Sequence, residues 1–443
     1  MTRTAPLPPG PALPALVQTA LIWLAPLRFL HRCHRRYGDR FRIRVSAVGT
    51  VVYLADPDDI RTVFRGDPVT YHAGEAAAPL SEVLGTKSLI MLDEERHRRL
   101  RTMMAPAFHG NSVRTQVAEM VAITTEEVAR WPVGEPFPLL PRMRTITLEV
   151  ILRTVMGVQD EARLAALRAV LPPLVDIGSP VELLPPPKPL RRVGLWRRRE
   201  QRRAAAHALL RDEIDRCRRD PRLESRTDVL SMLVRSTDEA GRAMPDVELV
   251  DQLVTLLLAG HETTATALAW TFERLTRNPD LLERTARAAA DGDDAWLDAV
   301  CKESMRVRPV VYETGRKLTE PVQLAGLHIP AGAIVAPSIE LVHHDARHYP
   351  DPMEFRPERF LDQRTDTSVW LPFGGGVRRC LGATFAQVEM RTVLREVLRR
   401  VELEPSTAPD EQVRVRHVTL TPREGAVAGV RRRLAPVQQP AAG

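Results

Sequence analysis

The chain has 443 residues, of which 44% are hydrophobic and 27% charged, a composition typical of globular proteins and unlike that of disordered or fibrous chains. Its net charge is +7, from 63 basic and 56 acidic residues, but no zinc-finger or RNA-recognition spacing accompanies this excess, so it does not indicate nucleic-acid binding. The four cysteines are far apart, which argues against a disulfide framework or zinc cluster and agrees with a reducing cytoplasm.

The first predicted element is an apolar segment within the proline-rich N-terminal residues 1–30. Residues 16–30 are mostly apolar, but this stretch is shorter than the ~20 residues that span a bilayer. Pro26 and Arg28 also interrupt it, and no clearly basic region precedes it as in a secretory signal. We expect an amphipathic helix that packs on the body of the protein, in preference to one that rests on a membrane surface, and no transmembrane anchor.

Two short strands and a largely helical region follow. Residues 41–45 and 51–54 predict strands around a turn at residues 46–49. Asp56-Pro57 then predicts the start of a helix, because proline is accommodated in the first helical turn. From about residue 95 to residue 287 the pattern is mostly helical.

Prolines and short strands mark the remaining boundaries. The proline-rich residues 172–189 predict a long loop between two helices. Mixed short strands and turns are predicted at residues 322–337 and 413–433, and residues 434–443 are expected to form a flexible tail. The elements do not alternate as βαβ units, which disfavours a doubly wound fold. The sequence therefore predicts a mainly α-helical protein with small β-sheets.

A long helix is predicted between Asp246 and Arg277, where Asn278-Pro279 ends it. About 32 residues at ~1.5 Å each give a rod of about 48 Å, and the apolar middle indicates that this helix is buried. The next segment, Ala259 to Thr264, is locally unfavourable, since Gly260 alone costs about 1 kcal/mol relative to alanine. A threonine there can bond to a carbonyl of the preceding turn and bend the helix. Such departures are typical of functional sites.

The most informative motif is a cysteine loop near the C-terminus. Its spacing Phe-x-x-Gly-x-Arg-x-Cys-x-Gly is met by Phe373, Gly376, Arg378, Cys380 and Gly382. Glycine lets a backbone lie flat against a large group. A following helix N-terminus and neighbouring cations favour the anionic form of a thiol. With five positions fixed, the motif indicates a metal-ligating thiolate.

This spacing resembles the haem-binding loop of the cytochrome P450 family, in which the cysteine thiolate is the proximal iron ligand. The resemblance runs from about residue 7 to residue 433. It implies one P450 domain over residues 1–443, although length alone would favour two or three domains. It also implies that Cys380 ligates the iron of haem b, which lies between the long central helix and the helix after the cysteine loop. Phe373 is then expected to pack beside the sulfur, and Arg378 to pair with a haem propionate.

By the same resemblance, the middle of the long helix looks like the family's oxygen-activation motif. Ala259 and Gly260 are expected to open space over the iron. Glu262 and Thr263 take the positions of the acid and the alcohol, so Thr263 would hold a water and Glu262 would relay protons from solvent. The alternative is a kinked helix with capped polar groups. Because adjacent helical positions differ by about 100° in direction, His261 is expected to be packed or solvent-facing and not to ligate iron.

A charged network is predicted to support the cysteine loop. Glu303 and Arg306 lie three apart on one helix face, where they can pair, and they resemble the family's Glu-x-x-Arg element. Arg359 is expected to complete the network, with Arg356 as the alternative. Its role would be to fix the segment that delivers Cys380.

Three further basic residues resemble anchors for the haem propionates. His97 and Arg101 lie four apart on a predicted helix, and Arg316 follows the end of the paired-charge helix. Together with Arg378 they would neutralise two carboxylates. The many arginines around His97 leave an exposed surface position as its alternative.

The resemblance implies a cytoplasmic haem-thiolate monooxygenase that hydroxylates or epoxidises a hydrophobic small molecule. Electrons are expected from a ferredoxin or flavodoxin and its NAD(P)H reductase, because no flavin, NAD or ferredoxin fingerprint is visible and the length excludes a fused reductase. Arg378 and Arg379 would suit an acidic partner. One alternative is a haem-thiolate enzyme that uses peroxide or acts as an isomerase or dehydratase, and another is a haem-bound ligand carrier or sensor. The Glu262–Thr263 pair argues against both.

Substrate contacts are expected from loops on the distal side of the haem. The resemblance places these at residues 71–90, 169–193, 253–263, 310–314 and 418–420. These segments are chiefly aliphatic, which favours a hydrophobic substrate of moderate size.

Overall fold

The computed structural model of the chain describes residues 7–46, 48–175, 194–361, 365–416 and 419–435. Most of the predicted proline-rich loop and nearly all of the predicted C-terminal tail lie outside these residues. The start of that loop is a helical turn, Pro172–Val175. The protein is mainly helical, at 55%, with small β-sheets, as the sequence predicts.

Nineteen α-helices occur within the described residues. They are α1 Ala15–Leu24, α2 Pro26–Tyr37, α3 Pro57–Arg65, α4 Ala73–Ala76, α5 Ser81–Leu84, α6 Glu94–Met104, α7 Asn111–Arg114, α8 Val117–Val128, α9 Leu139–Val150, α10 Glu161–Val170, α11 Pro172–Val175, α12 Gly194–Arg219, α13 Val229–Arg235, α14 Asp246–Leu257, α15 Thr263–Thr276, α16 Pro279–Asp291, α17 Asp294–Val307, α18 Ile339–His343 and α19 Ala383–Leu398. Two π-helical segments, Ile151–Val155 and Leu258–Glu262, extend α9 and join α14 to α15.

Thirteen short strands lie within the same residues. They are β1 Arg40–Val45, β2 Gly49–Leu54, β3 Tyr71–His72, β4 Phe137–Pro138, β5 Arg316–Leu318, β6 Val322–Leu324, β7 Leu327–Ile329, β8 Ile334–Pro337, β9 Val401–Leu403, β10 Val413–Arg416, β11 Thr419–Pro422, β12 Val427–Ala428 and β13 Val430–Arg433. The largest sheet has five strands in the order β1-β2-β8-β5-β3, and the others are two-stranded.

The predicted N-terminal hairpin and the helix after it are confirmed. β1 and β2 pair antiparallel with Arg40 opposite Leu54, and β2 then pairs parallel with β8. Asp56 caps α3, because its carboxylate accepts hydrogen bonds from the backbone N–H groups of Asp58 and Asp59.

The predicted single N-terminal helix is instead two helices. α1 ends at Leu24 and α2 starts at Pro26, since proline fits the first position of a helix but not its interior. Both helices pack on the body, as expected, and α1 lies against β1. Within the described residues, none of the helices is long and apolar enough to cross a membrane.

The predicted long helix is confirmed as a continuous rod formed by α14, a π-helical segment and α15. Asn278 follows its end and Pro279 starts α16. Every residue of α15 after Thr263 is buried, and α15 packs against α9, α17 and α19. This central position places the middle of the rod beside the helices that carry the other candidate residues.

Candidate functional site

The cysteine loop forms a tight turn before α19. A short 3-10 turn covers Gly376–Arg378, and the backbone N–H of Cys380 donates to the Phe373 carbonyl oxygen at 2.9 Å. The Cys380 side chain is exposed to solvent although protein surrounds it on most sides. The thiol therefore reaches open space from among packed elements of the protein.

The protein environment does not by itself ionise this thiol. Burial raises the pKa of Cys380, and this effect outweighs the lowering by the Gly382 N–H, Arg379 and Arg101. The predicted helix start and cations are therefore present, and they lower the pKa of Cys380 as expected. They offset only part of the increase caused by burial. A bound metal cation supplies the missing stabilisation, since coordination deprotonates a thiol.

Two glycines of the loop are required by close packing against α3. Gly376 has a φ of 62° and a side chain there would overlap the carbonyl oxygen of Phe64, while one at Gly375 would overlap the Phe64 ring. Gly382 differs, because nothing lies within 4 Å of the position that its Cβ would occupy. The loop therefore lies flat against Phe64 and leaves open space beside Gly382.

This contrast gives a prediction for the loop. Gly376→Ala should reduce the yield of folded, haem-loaded protein severely, because left-handed backbone strain of about 1 kcal/mol or more adds to the overlap with the Phe64 carbonyl. Gly382→Ala is the matched control, since its φ of −86° is accessible to alanine. Soluble yield and thermal unfolding of both variants without bound cofactor check the prediction, and equal losses in the two variants would contradict it.

The four predicted propionate anchors lie in one basic cluster. Arg378 donates to the Leu92 carbonyl and pairs with Asp93. Arg101 Nη2 lies 2.7 Å from the Arg379 carbonyl oxygen, and Arg316 Nη1 lies 2.8 Å from the Gly315 carbonyl oxygen.

His97, on α6, is buried and not on an exposed surface. Its pKa is lowered to about 3, first by burial and then by Arg378, Arg101 and Arg316. Burial, followed by the charge of Arg378, also lowers the pKa of Arg316 to about 10. Burial and the three arginines therefore keep the His97 ring neutral near pH 7, and Arg316 and Arg378 repel each other.

Asp93 pairs with Arg378, but one carboxylate does not balance a buried cluster of this size. An additional anion held there would restore the pKa values of the cations and remove their repulsion. The cluster is thus suited to a ligand that carries more than one negative charge. Sequence reasoning missed Asp93, which lies far from Arg378 along the chain.

The middle of the central rod is opened by its π-helical segment. The Thr263 hydroxyl donates to the Ala259 carbonyl, as expected for a threonine that bonds to the preceding turn. Ala259 is exposed, in contrast to the buried residues of α15, so the rod faces an open space at this point. Gly260 lets Ile151 approach the central rod closely, because a Cβ at this position would lie 3.2 Å from Ile151 Cδ1.

Glu262 is held by two arginines from distant parts of the chain. Its carboxylate accepts from Arg144 Nε at 2.9 Å and Arg144 Nη2 at 2.5 Å, and from Arg416 Nη1 at 3.2 Å. All three side chains are partly exposed, so this ion-pair cluster connects the opened helix with solvent. Sequence reasoning missed both arginines.

His261 is packed in the interior, one of the two positions expected for it. Its Nδ1 lies 2.9 Å from the Thr147 hydroxyl of α9. Burial lowers its pKa to about 4, so the ring is neutral near pH 7.

The charged network behind the loop is fully buried. Arg306 donates to both carboxylate oxygens of Glu303, at 2.7 Å and 2.8 Å, and neither side chain has solvent exposure. The same guanidinium donates to three backbone carbonyls, those of His343, Pro352 and Glu354. Arg306 therefore joins α17 to the segment that leads to the cysteine loop.

Of the two arginines considered as third partner, Arg359 brings its guanidinium to the network. Its Nε lies 3.4 Å from Glu303 Oε1. Arg356 contributes only its backbone N–H, 2.9 Å from the same oxygen, while its side chain pairs with Glu354.

The sequence model of the cytochrome P450 family matches residues 5–427, which is most of the chain. The chain belongs to the cytochrome P450 family. Members of this family hold haem through a cysteine thiolate, and the haem lies between the central helix and the helix after the cysteine loop.

Bacterial P450s are similar over nearly the whole chain. A protein provisionally named cytochrome P450 135B1, from Mycobacterium tuberculosis, is 50% identical over 436 residues, covering 97% of this chain and 92% of that protein. Cytochrome P450 135A1 from the same organism, also provisionally named, is 40% identical over 428 residues, covering 96% and 95%. The retinoic acid-bound structure of cyanobacterial CYP120A1 is 25% identical with a TM-score of 0.83, covering 97% of this chain and all of that one.

The residues of this P450 fit a haem. The exposed thiol of Cys380 and the exposed Ala259 border open space although both lie among core elements. Gly382 leaves room beside the thiol. The basic cluster of His97, Arg101, Arg316 and Arg378 matches the two propionates in charge.

Proposed function

We propose that this P450 is a monooxygenase that inserts one atom of O2 into a hydrophobic small molecule, by hydroxylation or epoxidation. Bound haem supplies the redox chemistry that activates O2. The observation that carries the proposal is the opened middle of the central rod. There the Thr263 hydroxyl adjoins an exposed Ala259, and the neighbouring Glu262 reaches arginines that contact solvent. A haem protein that only carries a ligand needs no such route for protons.

Cys380 is the proposed iron ligand, held by the loop that contains Phe373, Gly376 and Gly382. Arg378, Arg101, Arg316 and neutral His97 are the proposed partners of the propionates. Ala259 and Gly260 are the proposed contacts on the opposite face, where Ala259 borders the open space and Gly260 lets Ile151 approach. Glu303, Arg306 and Arg359 position the loop without contacting the cofactor.

Thr263 and Glu262 are the proposed proton-handling residues. Thr263 already donates its proton to the Ala259 carbonyl, so its oxygen has free lone pairs that can accept a hydrogen bond from water. The Glu262 carboxylate must release a bond to Arg144 or Arg416 before it can turn towards Thr263. In this exchange Glu262 would take each proton from solvent beside the partly exposed arginines, which stay protonated, and carry it to the interior, one at a time.

The substrate is proposed to bind among the predicted distal segments. Thr255 donates to Ser88 at 2.7 Å, and the backbone N–H of Leu420 donates to the Val310 carbonyl at 2.8 Å. Four of the five segments are thus joined in two pairs, while residues 176–193 and 418 lie outside the described residues. Retinoic acid, bound in the cyanobacterial P450 structure, is a suitable first probe because it is long and apolar.

Electrons are proposed to come from a ferredoxin or flavodoxin and its NAD(P)H reductase, in the cytoplasm. Arg379 is exposed directly beside Cys380, and Arg101 approaches the same loop. An exposed cation next to the thiolate side favours docking of an acidic redox protein.

Isotope labelling tests the reaction. With NADPH, a surrogate ferredoxin and its reductase, one atom of 18O from labelled O2 should appear in the product. Product formed only with hydrogen peroxide would support the peroxide-using alternative, and an unlabelled rearranged product would support an isomerase or dehydratase. Ligand binding without product under all conditions would support a carrier or sensor.

Thr263→Ala should uncouple electron consumption from product formation. Without the hydroxyl, water is held less well beside Glu262, so a larger share of the reducing equivalents should leave as hydrogen peroxide. General acid–base groups of this kind contribute roughly 10²-fold or more to a rate. We expect a product-to-NADPH ratio at least about tenfold lower, measured with a substrate that shifts the Soret band of the wild type.

Two variants control this prediction. Thr263→Ser keeps the hydroxyl and should retain most of the coupling. Thr264→Ala removes the neighbouring hydroxyl, which points about 100° away on the helix and is buried. Unchanged coupling in Thr263→Ala, with haem content intact, would rule out the proposed role of Thr263.

A further inference from the structure

Helix α1 exposes an apolar face. Leu16, Trp23 and Leu24 are 75%, 54% and 84% exposed, and Val17 and Ala20 are also exposed. At 100° per residue these five positions lie within an arc of about 120°. They therefore form one continuous stripe, which we call the apolar stripe.

The opposite face of α1 packs Leu21 and Ile22 against the core and also turns polar residues inward. Gln18 is fully buried, donates to the Leu13 carbonyl at 2.7 Å and accepts from the Arg44 N–H at 2.9 Å. The Thr19 hydroxyl accepts from the Ser46 N–H at 2.8 Å. Since β1 is an edge strand, these bonds satisfy backbone groups at the sheet edge. They also fix the rotation of α1 so that its apolar side faces outward.

The next helix has the complementary pattern. α2 buries Phe29, Leu30 and Cys33 against the body. The opposite face of α2 exposes four arginines, which we call the basic stripe: Arg28, Arg32, Arg35 and Arg36. They share one face because they are spaced four, three and one residues apart. Residues 1–38 contain no aspartate or glutamate.

We propose that the apolar and basic stripes together dock this P450 on the surface of an anionic lipid bilayer. α1 has ten residues, about 15 Å, so it is too short to span a bilayer and would lie in the plane of the headgroups. Leu16, Trp23 and Leu24 would enter the headgroup–acyl boundary, where the tryptophan ring is favoured. The arginines of α2 would attract anionic headgroups.

Charge and composition favour lipid over a protein partner. The surface combines exposed aliphatic residues and tryptophan with arginine, and residues 1–38 contribute no carboxylate to it. This composition suits an anionic bilayer. A second copy of this chain would present the same basic stripe, and the two stripes would repel each other at a symmetric contact.

Vesicle co-sedimentation of the full-length, haem-loaded protein tests the proposal. Binding is expected to vesicles that contain phosphatidylglycerol, to be weaker on pure phosphatidylcholine, and to fall at high salt. Leu16→Glu with Leu24→Glu should reduce the partition coefficient at least about tenfold. Arg32→Gln with Arg35→Gln should reduce it by about fivefold per arginine on anionic vesicles only.

The matched control is Val69→Glu with Val133→Glu, which adds two charges at other exposed valines and should leave vesicle binding unchanged. The reduced carbon monoxide spectrum verifies folding of every variant. Equal binding of the α1 double variant and the wild type would overturn the proposal. A dimer in sedimentation velocity that the same variant converts to monomer, without any vesicle binding, would overturn it in favour of self-association.

Discussion

Replacing Cys380 with serine should abolish the red-shifted Soret band of the reduced, carbon monoxide-treated protein. That band reports thiolate ligation, and a serine hydroxyl does not ionise at the pKa values that a thiol reaches beside a metal. Any haem that remains should absorb at the shorter wavelength of a non-thiolate haem. The measurement is the difference spectrum of purified Cys380→Ser protein, with haem quantified separately.

The fold of this variant should persist. Cys380 is exposed, and its loop is held by the backbone bond to Phe373 and by the packing of Gly376 on Phe64. The cost of Cys380→Ser in the apo protein should be about 0.5 kcal/mol or less, as for substitutions that strand no buried group. Thermal unfolding of apo wild type and apo variant checks this. If the two apo proteins unfold at similar temperatures, loss of the thiolate band in Cys380→Ser is not caused by unfolding.

Other cysteines provide matched controls. Cys33 and Cys217 are buried in the core, whereas Cys380 is exposed, so neither of the two thiols borders space that a haem could occupy. Cys33→Ser and Cys217→Ser should keep the thiolate band at full intensity per haem. If the thiolate band survives in Cys380→Ser but disappears in one of these variants, Cys380 is not the iron ligand.

The parts of the site that the sequence predicts are those in which local spacing determines contact. Glu303 and Arg306 are three apart on a helix, so they meet wherever that helix lies. The hydrogen bond from the Thr263 hydroxyl to the Ala259 carbonyl, four residues earlier, is likewise local. The face of α6 could also have been predicted, because His97, Leu100 and Met104 are spaced three and four apart and are all buried.

The contacts that sequence reasoning missed join distant parts of the chain. Asp93 lies 285 positions before Arg378, and Arg144 lies 118 positions before Glu262. Arginines are so frequent in this chain that none of them is marked as a partner by its neighbours. The packing of Gly376 on Phe64 is equally non-local. Such pairs are determined by helix packing, which one sequence does not specify.

The orientation of the N-terminal helix α1 could not be predicted from the sequence, for a different reason. An apolar run predicts that its apolar side is buried, but α1 packs Leu21 and Ile22 only partly against the core and buries Gln18 fully. The reason is that the sheet edge offers backbone groups that need hydrogen-bond partners, and Gln18 and Thr19 provide them. The hydrophobic pattern of a sequence does not predict such hydrogen bonds between side chains and a distant backbone.

Glu303→Ala should leave little folded, haem-loaded protein. The substitution strands the Arg306 guanidinium in a site without solvent exposure, which costs about 3–5 kcal/mol. Native domains are stable by only about 5–15 kcal/mol, so most of the margin is lost. Arg306 also holds three carbonyls of the segment before the cysteine loop, and its displacement should release them.

A matched exposed pair separates burial from mere charge removal. Glu283 and Arg287 lie on α16, 3.6 Å apart, and both side chains are about 70% exposed. Glu283→Ala should change the free energy of unfolding by no more than about 1 kcal/mol. Soluble yield, haem content and urea unfolding of both variants give the comparison.

Glu303→Gln refines the test, because it keeps the shape of the side chain and removes only its charge. Its amide oxygen can still accept from Arg306, but its NH2 group cannot accept a hydrogen bond from the second Arg306 nitrogen. The neutral amide also forms no ion pair with Arg359. We expect folded protein in an amount between those of the wild type and Glu303→Ala, with haem loss that parallels stability loss. Normal haem content and unaltered unfolding in Glu303→Ala would mean that other contacts position the loop holding Cys380, such as the packing of Gly376 on Phe64.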